Sequence, residues 1–345
     1  MYCTLFKKTP VHNTIKPTKI SWNKKLDTLA IGGYEGFVKV QQIDFNKSKP
    51  DGTAVNPIMM TQNLVHHKKK IVILYWNEIY DKLTTCDDEG VIIVWKYTDK
   101  GQWDTEMINN RDASYVTDLK WNKQGTYLCF IYDDGYSIVG TVEGSRLWGH
   151  DIRNKLYILE WSPDSTILLF GVKNSNILVY SATGYIIGEM EIDSSLKSVQ
   201  LVNMTWWANP LIENNFSDHH LCLAFENGII QLHNDQNDIK PIKFKLDVNQ
   251  VIKAEWNHSG TILAIAVSYL ENTETKYSVF FYSNKGVLIK NFKIPNYLTS
   301  FSWDKMSTKL AITTESLVLF TLIKPKHNWT YFQNTLVYSF IKEIE

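Results

Sequence analysis

Two acidic pairs, Asp87-Asp88 and Asp133-Asp134, are the first residues here equipped for chemistry, because adjacent carboxylates can share general acid and base duties. Each pair stands just before a glycine, Gly90 or Gly135, where aspartate caps a turn and tolerates its geometry, so a turn role is expected of both. His219-His220 could ligate a metal, but a lone pair in an insertion is expected to be a solvated turn. Lys68, Lys69 and Lys70 form a basic contact loop that could meet an acidic protein or an anionic lipid surface. The chain has no Gly-x-x-x-x-Gly-Lys-Ser/Thr, His-Glu-x-x-His, Cys-x-x-Cys or Gly-x-Ser-x-Gly. No nucleophile, base and oxyanion hole assemble, and no catalytic, cofactor-binding or metal residue is expected.

The elements that must position these residues are strands. From Trp76 to Trp95 the sequence reads as a strand end, a polar turn, a short strand over 82–86, an acidic turn closed by Gly90, and a β-branched strand ending at Trp95. The pattern recurs. Gly36, Gly90 and Gly135 each stand fourteen residues after Trp22, Trp76 and Trp121, with Val40, Val94 and Val139 four further on. Further copies begin at Trp161, Trp206 or its neighbour Trp207, Trp256 and Trp303, with Gly228 as the turn glycine of the fifth. The spacing of 40 to 54 residues matches a four-stranded blade. The expected fold is all-β, a single seven-bladed β-propeller of WD-repeat type over 1–345, with four antiparallel strands per blade.

Closure poses a counting problem. From the strand at Trp22 to that at Val318 there are 27 strands, one short of seven blades, and both 2–6 and 335–341 compete for the place. If the amino-terminal strand closes the ring, the 335–345 segment is expected to open a following domain. Insertions at 46–57, 208–220 and 268–276, the last lengthening the second hairpin of blade six, are candidate contact loops.

Net charge is +0, which argues against bulk nucleic-acid attraction, yet residues 1–70 hold twelve lysines against four carboxylates. Four scattered cysteines suit reduced thiols better than a disulfide framework. The first eight residues do not read as a secretory signal, and no apolar run reaches membrane-spanning length.

His67 stands nine residues before Trp76, where the Gly-His of a WD repeat usually lies. That pattern ties the histidine to a hydroxyl, a turn aspartate and a tryptophan. The matching residues are Thr84 or Thr85, Asp87 or Asp88, and Trp95; Thr84 and Asp87 are the working assignment. Such a network is structural, satisfying buried groups that cost about 1–3 kcal/mol each if left unpaired. Gly149-His150, the one complete Gly-His pair, stands ahead of blade four.

Lys82-Leu-Thr-Thr-Cys-Asp-Asp-Glu-Gly-Val-Ile-Ile-Val-Trp95, Glu106-Met-Ile-Asn-Asn-Arg111, Ile138-Val-Gly-Thr-Val-Glu-Gly-Ser-Arg-Leu-Trp-Gly149 and Asn334-Thr-Leu-Val-Tyr338 go beyond the repeat. They resemble the amino-terminal propeller of the 121-kilodalton WD-repeat subunit of the intraflagellar-transport A complex. The resemblance spans essentially the whole chain. It implies a non-catalytic scaffold working in retrograde ciliary transport and ciliary entry of membrane cargo. Its implied partners are the other subunits of that complex, with membrane cargo, a tubby-family adaptor or anionic lipid beyond them, and no nucleic acid, small-molecule substrate or cofactor. The implied location is the cilium, the ciliary basal body and the cytoplasm. Two other readings stand beside it: a WD-bearing tubby-like adaptor, and an enzyme using the propeller channel, which needs titratable side chains converging at the channel mouth.

Overall fold

Alternation in the residues before each repeat tryptophan makes the inner strand of a blade. The residue two positions ahead of the tryptophan is apolar and buried every time: Ile20, Leu74, Leu119, Leu159, Met204, Ala254 and Phe301. The inner strands are Pro17–Asn23, Ile71–Asn77, Val116–Trp121, Leu156–Trp161, Leu201–Trp207, Gln250–Trp256 and Ser300–Trp303. Each opens a four-stranded antiparallel sheet. The computed structural model describes the chain except residues 12–14, 46–57, 112–113, 173–175, 197, 208–219, 325–327, 333–334 and 340–345. The candidate loop at 46–57 and most of that at 208–220 therefore lie outside the described residues.

Every inner strand touches those of the sheets before and after it, the last meeting the first, so seven blades close into a ring. Seven hydrophobic clusters fill the seven interfaces between consecutive blades. The cluster between blades one and two, for instance, joins Ala30, Val38 and Val40 to Leu74, Trp76, Leu83 and Trp95. A blade alone would leave such faces wet, so the ring is the folding unit.

The ring is closed by the amino terminus. Tyr2–Pro10 runs antiparallel to Leu317–Lys324, from Tyr2 opposite Lys324 to Pro10 opposite Leu317, and becomes the outer strand of blade seven. Joining the first strand to the third strand of the seventh repeat leaves blade seven as complete as the others. The competing carboxy-terminal segment instead pairs as Thr335–Ser339 with Asn328–Phe332, in a separate two-stranded sheet.

The insertion at 268–276 lengthens the hairpin between the second and third strands of blade six, as expected. Ile262–Glu271 and Glu274–Ser283 stay paired out to Glu271 opposite Glu274, turned by Asn272 and Thr273 at φ 51 and 67. Positive φ at both central residues is the hairpin turn whose twist suits its strands. Gly90 and Gly135 also have positive φ, 86 and 91. They have a packing reason as well: a Cβ would lie 2.7 Å from the Ser114 carbonyl at Gly90 and 2.5 Å from that of Asn154 at Gly135. Each turn therefore seats against the connection into a neighbouring blade.

Candidate functional site

Blade two consists of Ile71–Asn77, Lys82–Asp87, Ile92–Tyr97 and Trp103–Asn109. Trp95 Nε1 donates to Thr85 Oγ1 at 2.9 Å, Thr85 Oγ1 lies 2.7 Å from His67 Nε2, and His67 Nδ1 lies 2.8 Å from Asp87 Oδ2. An indole N–H only donates, so the Thr85 oxygen receives that bond and turns its own proton to His67 Nε2. A neutral imidazole then carries its proton on Nδ1, facing Asp87. The other carboxylate oxygen accepts the backbone N–H groups of Glu89 and Val91 at 3.2 and 3.0 Å, capping the turn. Burial works against ionisation of Asp87, but the bonds from His67, Val91 and Glu89 prevail and hold its pKa below the usual value.

The hydroxyl of the network belongs to Thr85, and Thr84 is corrected. Successive strand residues face opposite sides of a sheet. Thr85 faces His67 and Trp95, whereas Thr84 Oγ1 accepts Trp121 Nε1 of blade three at 2.9 Å. Both threonines are fully buried, so no polar face of the strand betrays which way each points.

The three lysines beside His67 differ in their surroundings. Lys69 Nζ pairs with Glu89 Oε1 at 2.8 Å, both half exposed, and that carboxylate raises the lysine's pKa. Lys70 Nζ sits 5.2 Å from the centre of the Tyr34 ring. Lys68 is exposed. The turn aspartates behave as turn residues: Asp134 accepts the Tyr136 N–H at 3.0 Å and pairs with Arg111 at 2.8 Å, and Asp133 accepts the Tyr115 N–H at 2.9 Å. His220 stacks on Trp207 with ring centres 5.5 Å apart, and His219 lies outside the described residues. Among the described residues, no three His, Cys, Asp or Glu side chains could hold a metal ion.

A second set of polar groups lines the propeller axis. The residues one and three positions before each tryptophan face a channel of about 610 Å³. One position ahead these are Ser21, Tyr75, Lys120, Glu160, Thr205, Glu255 and Ser302. In six inner strands a register shift falls just before the position three ahead, as between Pro17 and Lys19 or Val116 and Asp118. Such bulges re-aim a side chain. The titratable groups that a channel enzyme would need do converge here, and the motif search above does not find them. Their signal is a polar residue directly before most repeat tryptophans, visible only when all seven copies are aligned.

Most of these charges are already engaged. Lys120 Nζ bonds Glu160 Oε2 at 2.9 Å and the Met204 carbonyl at 3.0 Å. Asp118 accepts the N–H groups of Leu119 and Leu159 at 2.8 and 3.0 Å. Lys253 Nζ meets Glu255 Oε2 at 2.7 Å and the Phe301 carbonyl at 2.6 Å. Burial raises the pKa of Asp118 and Glu160; it opposes charge on Lys120 too, but there the attraction of Glu160 and Asp118 wins and the pKa rises. Lys19 differs: among the described residues it has no hydrogen-bond or ion-pair partner. Confinement in the channel, with Lys253 and Lys70 near, lowers its pKa despite Asp118.

The family described as WDR35/TULP4 N-terminal matches residues 1–324. The chain belongs to that family. It is 36% identical to the WD repeat-containing protein 35 of Rattus norvegicus over 99% of this chain and 30% of the relative, and 34% identical to the Homo sapiens protein over the same shares. It is also 30% identical to the Tubby-related protein 4 of Mus musculus, over 69% of this chain and 17% of that protein. The chain thus spans under a third of the length of these relatives. Among solved structures, the crystal structure of the Myceliophteria thermophila Cps50 (Swd1) β-propeller domain superposes with TM-score 0.69 over 92% of this chain and all of that one, at 14% identity. The family members share a propeller scaffold, and the fold seen here is that scaffold.

Proposed function

We propose that this chain is a non-catalytic interaction module of the intraflagellar-transport A complex, serving retrograde ciliary transport and the ciliary entry of membrane cargo. The observation that carries this reading is the family match over residues 1–324. It is supported by 36% identity to WD repeat-containing protein 35 across 99% of the chain. The expected partners are the other subunits of that complex, with membrane cargo, a tubby-family adaptor or anionic lipid reached through Lys68 and Lys70. The expected location is the cilium, its basal body and the cytoplasm. A structural use of the channel charges supports the non-catalytic reading: Lys120 pairs with Glu160, and Lys253 with Glu255. No cofactor, nucleic acid or small-molecule substrate belongs to the reading.

The test is recovery of partners from ciliated cells with the full-length native protein, wild type against a Lys68→Glu, Lys69→Glu, Lys70→Glu variant. The wild type is expected to bring down the transport subunits, and the variant to lose cargo or liposome association while keeping its fold. Recovery of no transport subunit by the wild type overturns the assignment to the complex. A variant that still floats with anionic liposomes and keeps every partner overturns the role of the basic loop. The tubby-like adaptor remains the second reading because of the 30% identity to Tubby-related protein 4. A tubby domain downstream in the native transcript would decide for it.

A further inference from the structure

Blades three and four are joined by an indole, and a pocket stands at the matching place between blades two and three. In blade three, Trp148 of the outer strand lies opposite Val139, and its indole N–H crosses to the Ala182 carbonyl of blade four at 2.8 Å. In blade two the residue opposite Val94 is Met107. An unbranched thioether does not span the gap as an indole does, and a cavity of about 330 Å³ remains between the outer parts of blades two and three. Its floor is the apolar face of blade three, Leu128, Phe130 and Ile138. Gly144 keeps the neighbouring turn close, since a Cβ there would lie 3.2 Å from Met107 Sδ.

The charged residues of the lining are Arg111 and Arg146, and no carboxylate lines it. Arg111 is engaged: it pairs with Asp134 at 2.8 Å, and its guanidinium lies 4.9 and 4.6 Å from the centres of the Tyr132 and Tyr136 rings. Arg146 is held in place without being neutralised. Its Nη2 donates to the Tyr136 hydroxyl at 2.6 Å, and the guanidinium lies over Gly149, where a Cβ would collide with it. Among the described residues it has no carboxylate partner. Two nearby acids are turned elsewhere: Glu106, beside Met107, pairs with Lys82, and Glu143, beside Gly144, is bonded by the Thr141 hydroxyl.

We infer that this pocket binds an extended segment of a partner polypeptide, an apolar side chain filling the cavity and a carboxylate of the same segment reaching Arg146. This rests on the reading of the chain as an interaction module and names the chemistry of one partner. A cavity of this size is at the small end of ligand pockets and suits one anchoring side chain. The carboxylate gains charge-assisted hydrogen bonds to a guanidinium that Tyr136 already orients, so little freedom is lost on binding. A polypeptide is favoured over a small apolar acid because one wall of the pocket, Trp103–Asn109, is the outer strand of blade two and has no strand along its other edge. Such an edge is a template for an added strand, on which side chains two positions apart face the same way. The apolar and acidic residues of the partner are therefore expected at that spacing.

The test is selection of a phage-displayed random heptapeptide library on the whole chain, followed by anisotropy titration of the most enriched peptide, fluorescein-labelled. Enrichment of Leu, Ile, Met or Phe two positions from Asp or Glu is expected, with saturable binding. Met107→Trp, which gives blade two the side chain blade three carries at Trp148, is expected to weaken binding about tenfold or more and to leave the urea midpoint near that of wild type. Arg146→Met is expected to weaken it about tenfold, and Arg146→Lys about threefold. Arg146 is exposed, so its variants keep the test decisive if the new indole disturbs the blades. Exchanging the peptide's acidic residue for its amide is expected to cost as much against the wild type and nothing further against Arg146→Met. The inference is overturned by no enrichment, by enriched peptides without an acidic residue, by wild-type affinity in Arg146→Met, or by displacement with an equal concentration of octanoate. If no peptide is selected while the full-length protein recovers the transport subunits, this site falls and the interaction-module reading stands. If the peptide binds as described but the full-length protein recovers no transport subunit, the site stands and the assignment to that complex falls.

Discussion

Blade two has the histidine without its glycine; blade four follows the full Gly149-His150 pair but has none of the histidine's partners. Counted nine, eleven and nineteen residues past the repeat tryptophan, blade two offers Thr85, Asp87 and Trp95, and blade four offers Phe170, Val172 and Tyr180. In blade two those positions form the hydrogen-bonded chain that ends on His67. In blade four, Phe170 packs edge-on against Tyr180, with ring centres 5.4 Å apart, and the Phe170 and Val172 side chains bring no polar atom in place of Thr85 and Asp87. His150 stays outside, on the outer strand Arg146–Asp151 of blade three, stacked on Trp148 at 5.1 Å. One architecture thus accepts either a satisfied polar network or an apolar plug at the same place. The partners, rather than the histidine, decide which.

That comparison can be broken at several points, in order of decreasing expected effect. Phe170 is fully buried between blades three and four, so Phe170→Ala opens a cavity and is expected to cost about 4 kcal/mol in urea unfolding. A loss below about 1 kcal/mol would mean that the apolar plug contributes little, and that blade four is held by its neighbours instead. Asp87→Ala removes the anchor of the polar version and leaves the buried His67 Nδ1–H unanswered; about 3 kcal/mol is expected. Replacing both partners at once, His67→Leu with Asp87→Val, makes blade two resemble blade four and is expected to cost less than Asp87→Ala alone. That ordering follows because the penalty lies in the orphaned group rather than in the lost bond.

The same aspartate gives the comparison a pH signature that blade four lacks. Its folded pKa lies below its ordinary value of about 3.8, so the stabilisation is complete above the unfolded value and is lost as pH falls through the folded one. The stability gap between wild type and Asp87→Asn should therefore be constant from pH 7 to 5 and narrow below pH 4. A gap that widens on acidification would contradict the bonding described for His67 and Asp87. Urea midpoints at pH 7, 5 and 3 measure it.

The ring was legible in the sequence because its signals are redundant. Seven tryptophans, the glycines at a fixed offset and 27 strands where 28 are needed all point to one architecture. That a strand from outside the seven repeats must complete blade seven was legible in the same count, though the choice of Tyr2–Pro10 over the carboxy-terminal segment came only from the pairing. Finer matters were hidden where local pattern carries no direction. Leu83, Thr84, Thr85 and Cys86 are buried on both faces of a central strand, so no polar side marks which threonine meets His67. The channel residues were hidden differently. Lys19, Asp118 and Lys253 are ordinary surface residues in any one repeat, and only the convergence of seven strands on an axis makes neighbours of residues up to 234 positions apart.

Trp95→Phe sharpens the contrast at smaller scale, since it deletes the indole N–H and shrinks the buried bicyclic ring to a phenyl. The Thr85 hydroxyl remains bonded to His67, so the loss combines one neutral hydrogen bond with a small cavity, and about 2 kcal/mol is expected.

The smallest effect is expected from His150→Ala, and it is the one most at odds with a reading by motif alone. If the Gly-His dipeptide were itself the stabilising unit, this substitution should cost as much as Asp87→Ala. The geometry says otherwise. His150 is exposed, so little apolar area returns to water on its loss. What it gives up is stacking on Trp148, whose indole N–H is held independently by the Ala182 carbonyl at 2.8 Å. A change within about 0.5 kcal/mol in urea unfolding is therefore expected, as for other surface positions. A loss approaching that of Asp87→Ala would place the histidine inside a buried network and would undo the distinction between the two blades.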